Sequence, residues 1–218
     1  MYKKARLHFK KADPRLYKAS LEFEIADLKL SDDLFRDIVW TIVGQQLSGK
    51  AADTIFERFQ KLLPGGRVVP EEILELSDEE MRSAGLSGAK ARAIRDLSEK
   101  TASGELDLPA LASLSDLEVA AQLVKVKGIG PWTAEMILMF SLGRTDVFSL
   151  GDLVLRKEIM NLHGWKKLPG EKRLQSALAR WSPYRTYAAR ILWKIADSRK
   201  KRAAPPKRAK SRKKARKA

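Results

Sequence analysis

The chain has 218 residues, 44% of them hydrophobic, and a formal net charge of +16. That length can bury a substantial core as one domain or two packed lobes, no run approaches the roughly 18 apolar residues that span a bilayer, and the N-terminus lacks a signal peptide's apolar core. Cysteine is absent and histidine occurs only at His8 and His163, which excludes disulfides, thiolate zinc sites and cysteine-ligated iron–sulfur clusters, argues against a His-based metal centre and fits a reducing compartment.

Taken in chain order, residues 1–30 alternate poorly around Asp13-Pro14 and are expected to form a short helix or an irregular arm. Ser31 reads as an N-cap, with Asp32 and Asp33 in the first turn, for a helix presenting Leu34, Phe35, Ile38, Val39, Ile42 and Val43 on one face. That helix ends at Gly44-Gln45-Gln46-Leu47. Ser48 caps the next, with Ala51, Ala52, Ile55, Phe56 and Phe59 inward. Pro64-Gly65-Gly66 is a loop, Pro70 opens a short helix, and Ser77 with Glu80 forms a capping box for another that Gly85 closes. Residues 88–102 make a basic amphipathic helix ending near Gly104, and the only strand-like fragments resemble Arg67-Val-Val.

Ser115 with Glu118 repeats the capping box and leads into Leu117, Ala120, Ala121 and Val124 at helical spacing. Gly128-Ile129-Gly130 then interrupts the pattern. Pro131 suits a first helical position, and Ala134, Ile137, Leu138 and Ser141 recur after it as far as Gly143. The product is a helix–hairpin–helix over residues 117–143 whose exposed amides could take a phosphate. Asp152 opens a further helix that runs from Leu153 past Met160 to His163-Gly164; Pro169-Gly170 precedes another ending near Trp181. Ser182-Pro183 opens a last helix to Ser198, with Ser182 as its N-cap. Residues 199–218 hold 12 Lys and Arg and no acid, so they are expected to form a disordered basic tail. A nucleic-acid arm, a solubilising segment and a localisation signal all fit that composition.

Three separated motifs carry a resemblance spanning residues 5–198. They are Ile42-Val-Gly-Gln-Gln-Leu-Ser48, the hairpin Gly128-Ile-Gly-Pro-Trp-Thr-Ala134 followed by Asp146-Val-Phe148 and Asp152, and Trp181-Ser-Pro-Tyr-Arg-Thr-Tyr-Ala188 through Trp193. In this order they resemble the helix-hairpin-helix/GPD superfamily of DNA glycosylases, in particular its 3-methyladenine (alkylpurine) type. The resemblance implies an all-α, two-lobed fold over residues 1–198, with the hairpin beside the active-site cleft. Larger relatives have an N-terminal β domain, and this chain reaches its Gly-Gln-Gln motif too early to include one. It further implies a monomer that binds double-stranded DNA carrying a damaged base, works inside the cell and needs no membrane, metal or cofactor.

Asp152 is the candidate catalytic residue, although an aspartate at a helix start is also a favoured cap. Breaking an N-glycosidic bond builds positive charge on the sugar, and a carboxylate stabilises that charge and orients the attacking water. Purines alkylated at N3 or N7 already carry charge, so one carboxylate suffices, and the motif offers no convincing second acid nearby. Relatives often place proline just before this aspartate, where this chain has Leu150-Gly151. The resemblance sets Trp132 and Trp193 beside the extruded base, with Met136 and Leu153 lining the same cavity. Trp181, Tyr184, Tyr187 and Trp40 are expected in the core. For DNA contact it points to Lys127, Gly128, Ile129, Gly130 and Thr133. Gln46 reads either as the plug that fills the gap left by the flipped nucleotide or as a polar surface residue, and Lys90 as a phosphate contact or a solvated lysine. Bifunctional relatives carry a nucleophilic lysine where this chain has Trp132, so strand cleavage is not expected. Two alternatives remain: a noncatalytic helix-hairpin-helix DNA-binding protein, and a glycosylase for deaminated or oxidised bases.

Overall fold

The computed structural model describes residues 1–203. Twelve α-helices and no strand occur among them: α1 Tyr2–Ala12, α2 Pro14–Ser20, α3 Leu34–Gly44, α4 Gly49–Gln60, α5 Pro70–Leu74, α6 Asp78–Ser83, α7 Gly88–Ala102, α8 Asp116–Leu123, α9 Pro131–Phe140, α10 Leu153–His163, α11 Glu171–Ala179 and α12 Arg185–Ala203. Helix α3 is the pivot of the first lobe. Its buried stripe of Phe35, Ile38, Val39, Ile42 and Val43 packs against α4, α7 and α9, while α8 closes on α9 and α5 and α6 on α7. The second lobe brings the chain's first and last helices together: α1 packs on α2, and α2 and α10 on α12. Helix α11 adds Leu174 and Leu178 to the common core.

Two crossovers join the lobes, residues 21–33 and 141–152, and they touch. The Ser31 amide donates to the Ser141 carbonyl at 2.7 Å. Gly143, at φ +65°, lies so close to the Lys29 backbone that a Cβ would come within 2.9 Å of it. The second crossover ends in Asp152, so the candidate carboxylate stands where the lobes meet.

Several expectations need correction. Residues 2–20 are two helices and no arm, because Tyr2, Ala5, Phe9 and Leu16 are buried and Asp13 caps α2 through the Arg15 and Leu16 amides. The cap of α3 is Asp33, accepting from Arg36, whereas Ser31 accepts from the Asp33 amide and ties the crossovers. Helix α8 buries Val119 and Leu123, not the face expected from Leu117, Ala120, Ala121 and Val124; Leu117 is 85% exposed. Helix α12 begins at Arg185, because the Ser182 hydroxyl donates to Asp146 instead of capping. It continues through Ala203, so residues 199–203 are helical, held in part by Arg199 on Glu158 at 2.6 Å. Residues 204–218 of the expected tail lie outside the described residues. Arg67-Val-Val pairs with no strand, and Val68 simply packs into the core.

Candidate active site

Asp152 has two jobs, divided between its oxygens. Oδ1 accepts the Leu155 amide at 3.0 Å and caps α10. Oδ2 accepts two indole N–H groups, from Trp132 on α9 and Trp193 on α12, each at 3.3 Å. One lobe supplies each indole, so the carboxylate is held from both sides of the cleft. A tight turn, with the Asp152 amide donating to the Ser149 carbonyl, delivers it. Leu150-Gly151 fill that turn where relatives often have proline.

The loop is anchored upstream by Asp146. Arg185 grips its carboxylate with Nε at 2.8 Å and a terminal nitrogen at 3.0 Å, and the Ser182 hydroxyl adds a bond at 2.7 Å. Burial opposes charge on Asp146, but these donors outweigh it and hold its carboxyl below the usual range. Val147 and Phe148 are buried behind it, Phe148 against the fully buried Trp181. The Asp-Val-Phe motif is therefore a clamp for the loop that carries Asp152. Tyr187 is buried and Tyr184 packs against the core, as expected of both.

Trp132, which bonds Asp152, also lines an apolar cavity of about 420 Å³, together with Trp40, Thr41, Gln45, Leu47, Met136 and Phe140, among others; Asp152 itself is not in its lining. Of the expected pocket residues, Trp132 and Met136 line it. Leu153, half exposed, does not, and Trp193 joins the site through Asp152 and through Phe140, whose ring centre is 5.9 Å away. Trp40 is not a core residue: it is 38% exposed, lines the cavity and donates its N–H to Asp53. Phe140 and Trp132 are also nearly half exposed. Aromatic surface left open this way marks a ligand site. Pattern alone could not separate Trp40 and Phe140 from core, since both sit in otherwise buried helices.

Sequence reasoning also missed Glu135, which is partly buried on α9 one turn after Trp132. Burial raises its carboxyl above the usual range; the nearby Ser149 hydroxyl counteracts this in part and the Asp152 charge adds to it. Its i+3 spacing from Trp132 was the available signal. No cluster of three or more His, Cys, Asp or Glu suited to a metal occurs among the described residues.

The hairpin is built against α7. Gly128 has φ +79° and faces Ala93, where a Cβ would meet the Ala93 Cβ at 2.9 Å. Gly130 is extended, φ −95° and ψ 177°, with open space where its Cβ would be. Ile129 is buried and its amide donates to the Val126 carbonyl, so it anchors the turn and presents no side chain to a ligand. The Lys127 amide and ammonium both bond Asp96. The amides of Gly128, Gly130, Trp132 and Thr133 have no acceptor among the described residues, and no side chain caps α9. Those amides, with the helix dipole behind them, can take an anion.

Thr133 is buried, and its hydroxyl accepts from Gln45 Nε2 at 3.1 Å; the same nitrogen donates to the Gly128 carbonyl at 3.0 Å. Gln45 thus ties the end of α3 to the hairpin. Gln46 is exposed with φ +59°, the one non-glycine residue in the left-handed region among those described. Lys90 is partly buried and bonded within the protein. Its ammonium donates to the Val43 and Gln45 carbonyls at 2.8 and 2.9 Å, and burial lowers its pKa.

A family model described as HhH-GPD superfamily base excision DNA repair protein matches residues 39–183. Among curated proteins, the chain is 37% identical over 162 residues to the DNA-3-methyladenine glycosylase 1 of Schizosaccharomyces pombe, covering 73% of this chain and 71% of that one. Among solved structures, the S. pombe 3-methyladenine DNA glycosylase in complex with abasic DNA superposes with a TM-score of 0.77 at 32% identity, over 89% of this chain and 97% of that one. A DNA-3-methyladenine glycosidase from Bacillus halodurans gives the same TM-score at 38% identity, over 89% and 91% of the two chains.

Proposed function

The chain belongs to the HhH-GPD superfamily of base excision DNA repair proteins, and from that premise we propose that Asp152 is the catalytic carboxylate of a monofunctional DNA-3-methyladenine glycosylase. The protein excises alkylated bases from DNA. The observation that carries the residue assignment is the convergence of two indole donors, one from each lobe, on the Asp152 oxygen that the helix cap leaves free.

In this reading the unpartnered hairpin amides bind a backbone phosphate beside the lesion, and Gln46 enters the duplex where the flipped nucleotide was. The cationic purine occupies the aromatic cavity against Trp132, with Met136 beneath it. As the bond from C1′ to the base nitrogen lengthens, the electron pair goes to the base, which leaves neutral. The sugar gains positive charge, and Asp152 stabilises it. A water adds its oxygen to C1′ and gives up a proton, which Asp152 accepts. The helical residues 1–203 form the repair domain, and the basic residues beyond it add sequence-independent DNA affinity. The cleft is complete within one chain, which supports action as a monomer, inside the cell with the DNA.

In this reading no amine of the hairpin competes for the sugar. Trp132 fills the slot used by the nucleophilic lysine of bifunctional relatives, Lys127 is paired with Asp96, and Lys125 bonds Gln122. The testing experiment incubates the protein with duplexes bearing 7-methylguanine, hypoxanthine or 8-oxoguanine and identifies the released bases. Release of the alkylated base, with strands breaking only after alkali and no complex trapped by borohydride, is the expected result. Efficient trapping, or release of the oxidised base alone, contradicts the reading.

A further inference from the structure

The segment Gly44-Gln45-Gln46-Leu47 is a type II β-turn. Gln45 has φ −52° and ψ 129°, Gln46 has φ +59°, and the Leu47 amide closes the turn on the Gly44 carbonyl at 3.1 Å. Type II turns favour Gly or Asn at the third position, because other residues are strained at positive φ. A glutamine there would relax to type I by rotating the Gln45–Gln46 peptide plane. Something must hold that plane.

We propose that Lys90 is a positioning residue that selects the type II form, and thereby aims the Gln46 side chain at the DNA. Its ammonium bonds the Gln45 carbonyl, the oxygen of the very peptide that would rotate, together with the Val43 carbonyl. Rotation would carry the Gln45 oxygen away and leave a partly buried ammonium with one acceptor. Helix α7 does more than carry Lys90. Three residues on, Ala93 fills the space against Gly128, and three further on, Asp96 holds Lys127 by both amide and ammonium. Gln45 Nε2 closes the circuit by bonding the hairpin at Gly128 and Thr133. One helix therefore sets the spacing between the residue that enters the duplex and the amides that hold its phosphate.

This proposal rests on Gln46 being the plug, and the test separates the two. Lys90→Met, Gln46→Ala and the double variant are compared on a duplex carrying 7-methylguanine with 2-aminopurine beside it, the fluorescence reporting base flipping. Lys90→Met should slow flipping and single-turnover excision about tenfold on the paired lesion, as expected when one strained residue is no longer supported. The defect should shrink to within about twofold when the lesion lies in an unpaired bulge, where flipping needs little help. The salt dependence of binding should not change, and the double variant should be no worse than Gln46→Ala alone. A log–log salt slope reduced by about 0.9 would make Lys90 a phosphate contact and overturn the proposal. So would a double variant whose defect is the product of the two single ones. Wild-type flipping by Gln46→Ala would instead remove the plug reading, and this proposal with it. If Lys90→Met does not fold, Lys90→Leu, which also lacks a donor, takes its place with the same expectations.

Discussion

The division of labour within Asp152 makes specific substitutions informative. Asn at position 152 keeps an oxygen for the α10 cap but turns an N–H toward two indole donors, so it removes the charge without removing the helix start. Trp193→Phe retains an aromatic ring and deletes one donor to Oδ2. Because a hydrogen bond to a charged group contributes about 1.5–3 kcal/mol, single-turnover excision should fall roughly tenfold or more while duplex affinity stays within about twofold. Equal excision by the two proteins would show that the indole does not help to hold the carboxylate. The two hairpin glycines should respond differently from one another. Gly128→Ala meets both a positive φ and Ala93, and should destabilise the fold by about 1–3 kcal/mol, read as a lowered denaturation midpoint. Gly130→Ala, extended and unobstructed, should change stability by less than about 0.5 kcal/mol and act on DNA affinity alone. Sequence reasoning treated the pair alike because G-x-G does not reveal which glycine has the positive φ.

At the scale of elements, capping boxes were legible, whereas the single caps expected at Ser31 and Ser182, and some helix faces, were not. Both capping boxes, at Ser77 with Glu80 and Ser115 with Glu118, form as read, since each needs only residues three apart. Helix α8 offers two apolar stripes, and neighbours distant in sequence choose between them; Val119 and Leu123 face the core and Leu117 faces solvent. Helix α1 hides a short stripe of Tyr2, Ala5 and Phe9 among four lysines and one arginine, too narrow to stand out without its partner α2. The hairpin's dependence on α7 was out of reach for the same reason: Lys127 and Asp96 are 31 residues apart. That pair carries a pH signature. Burial works against the charged form of Asp96, but the Lys127 amide and ammonium outweigh it, so its carboxyl titrates below the usual range. A depressed carboxyl contributes stability that is present above its ordinary pKa and is lost as pH falls through the depressed value. Asp146 acts with the same sign. Denaturation midpoints should therefore drop on acidification below the ordinary carboxylate range, and Asp96→Asn should show a shallower drop. Parallel acid profiles for the two proteins would contradict the pairing.

Across the whole molecule, three motifs in a fixed order made the fold legible and pointed to Asp152, because the family's motifs are concentrated in local sequence. The cavity was only half legible. Trp40 and Phe140 reach it through the packing of α3 against α9, which no local pattern encodes. Charge adds a property of the entire chain. Residues 204–218 hold eight Lys and Arg and no acid, so deleting them should flatten the salt dependence of DNA binding, by about 0.9 in the log–log slope for each phosphate they neutralise, and leave the choice of lesion unchanged. An unchanged slope would mean that these residues do not touch DNA. The central claim, that Asp152 acts on the sugar and does not merely cap α10, is met most directly by one comparison: single-turnover release of 7-methylguanine by the wild-type protein and by Asp152→Asn, at protein concentrations that saturate the duplex. The account predicts bound, folded Asp152→Asn protein whose release rate is lower by about 10²–10³-fold; release at close to the wild-type rate would contradict it and leave Asp152 a helix cap.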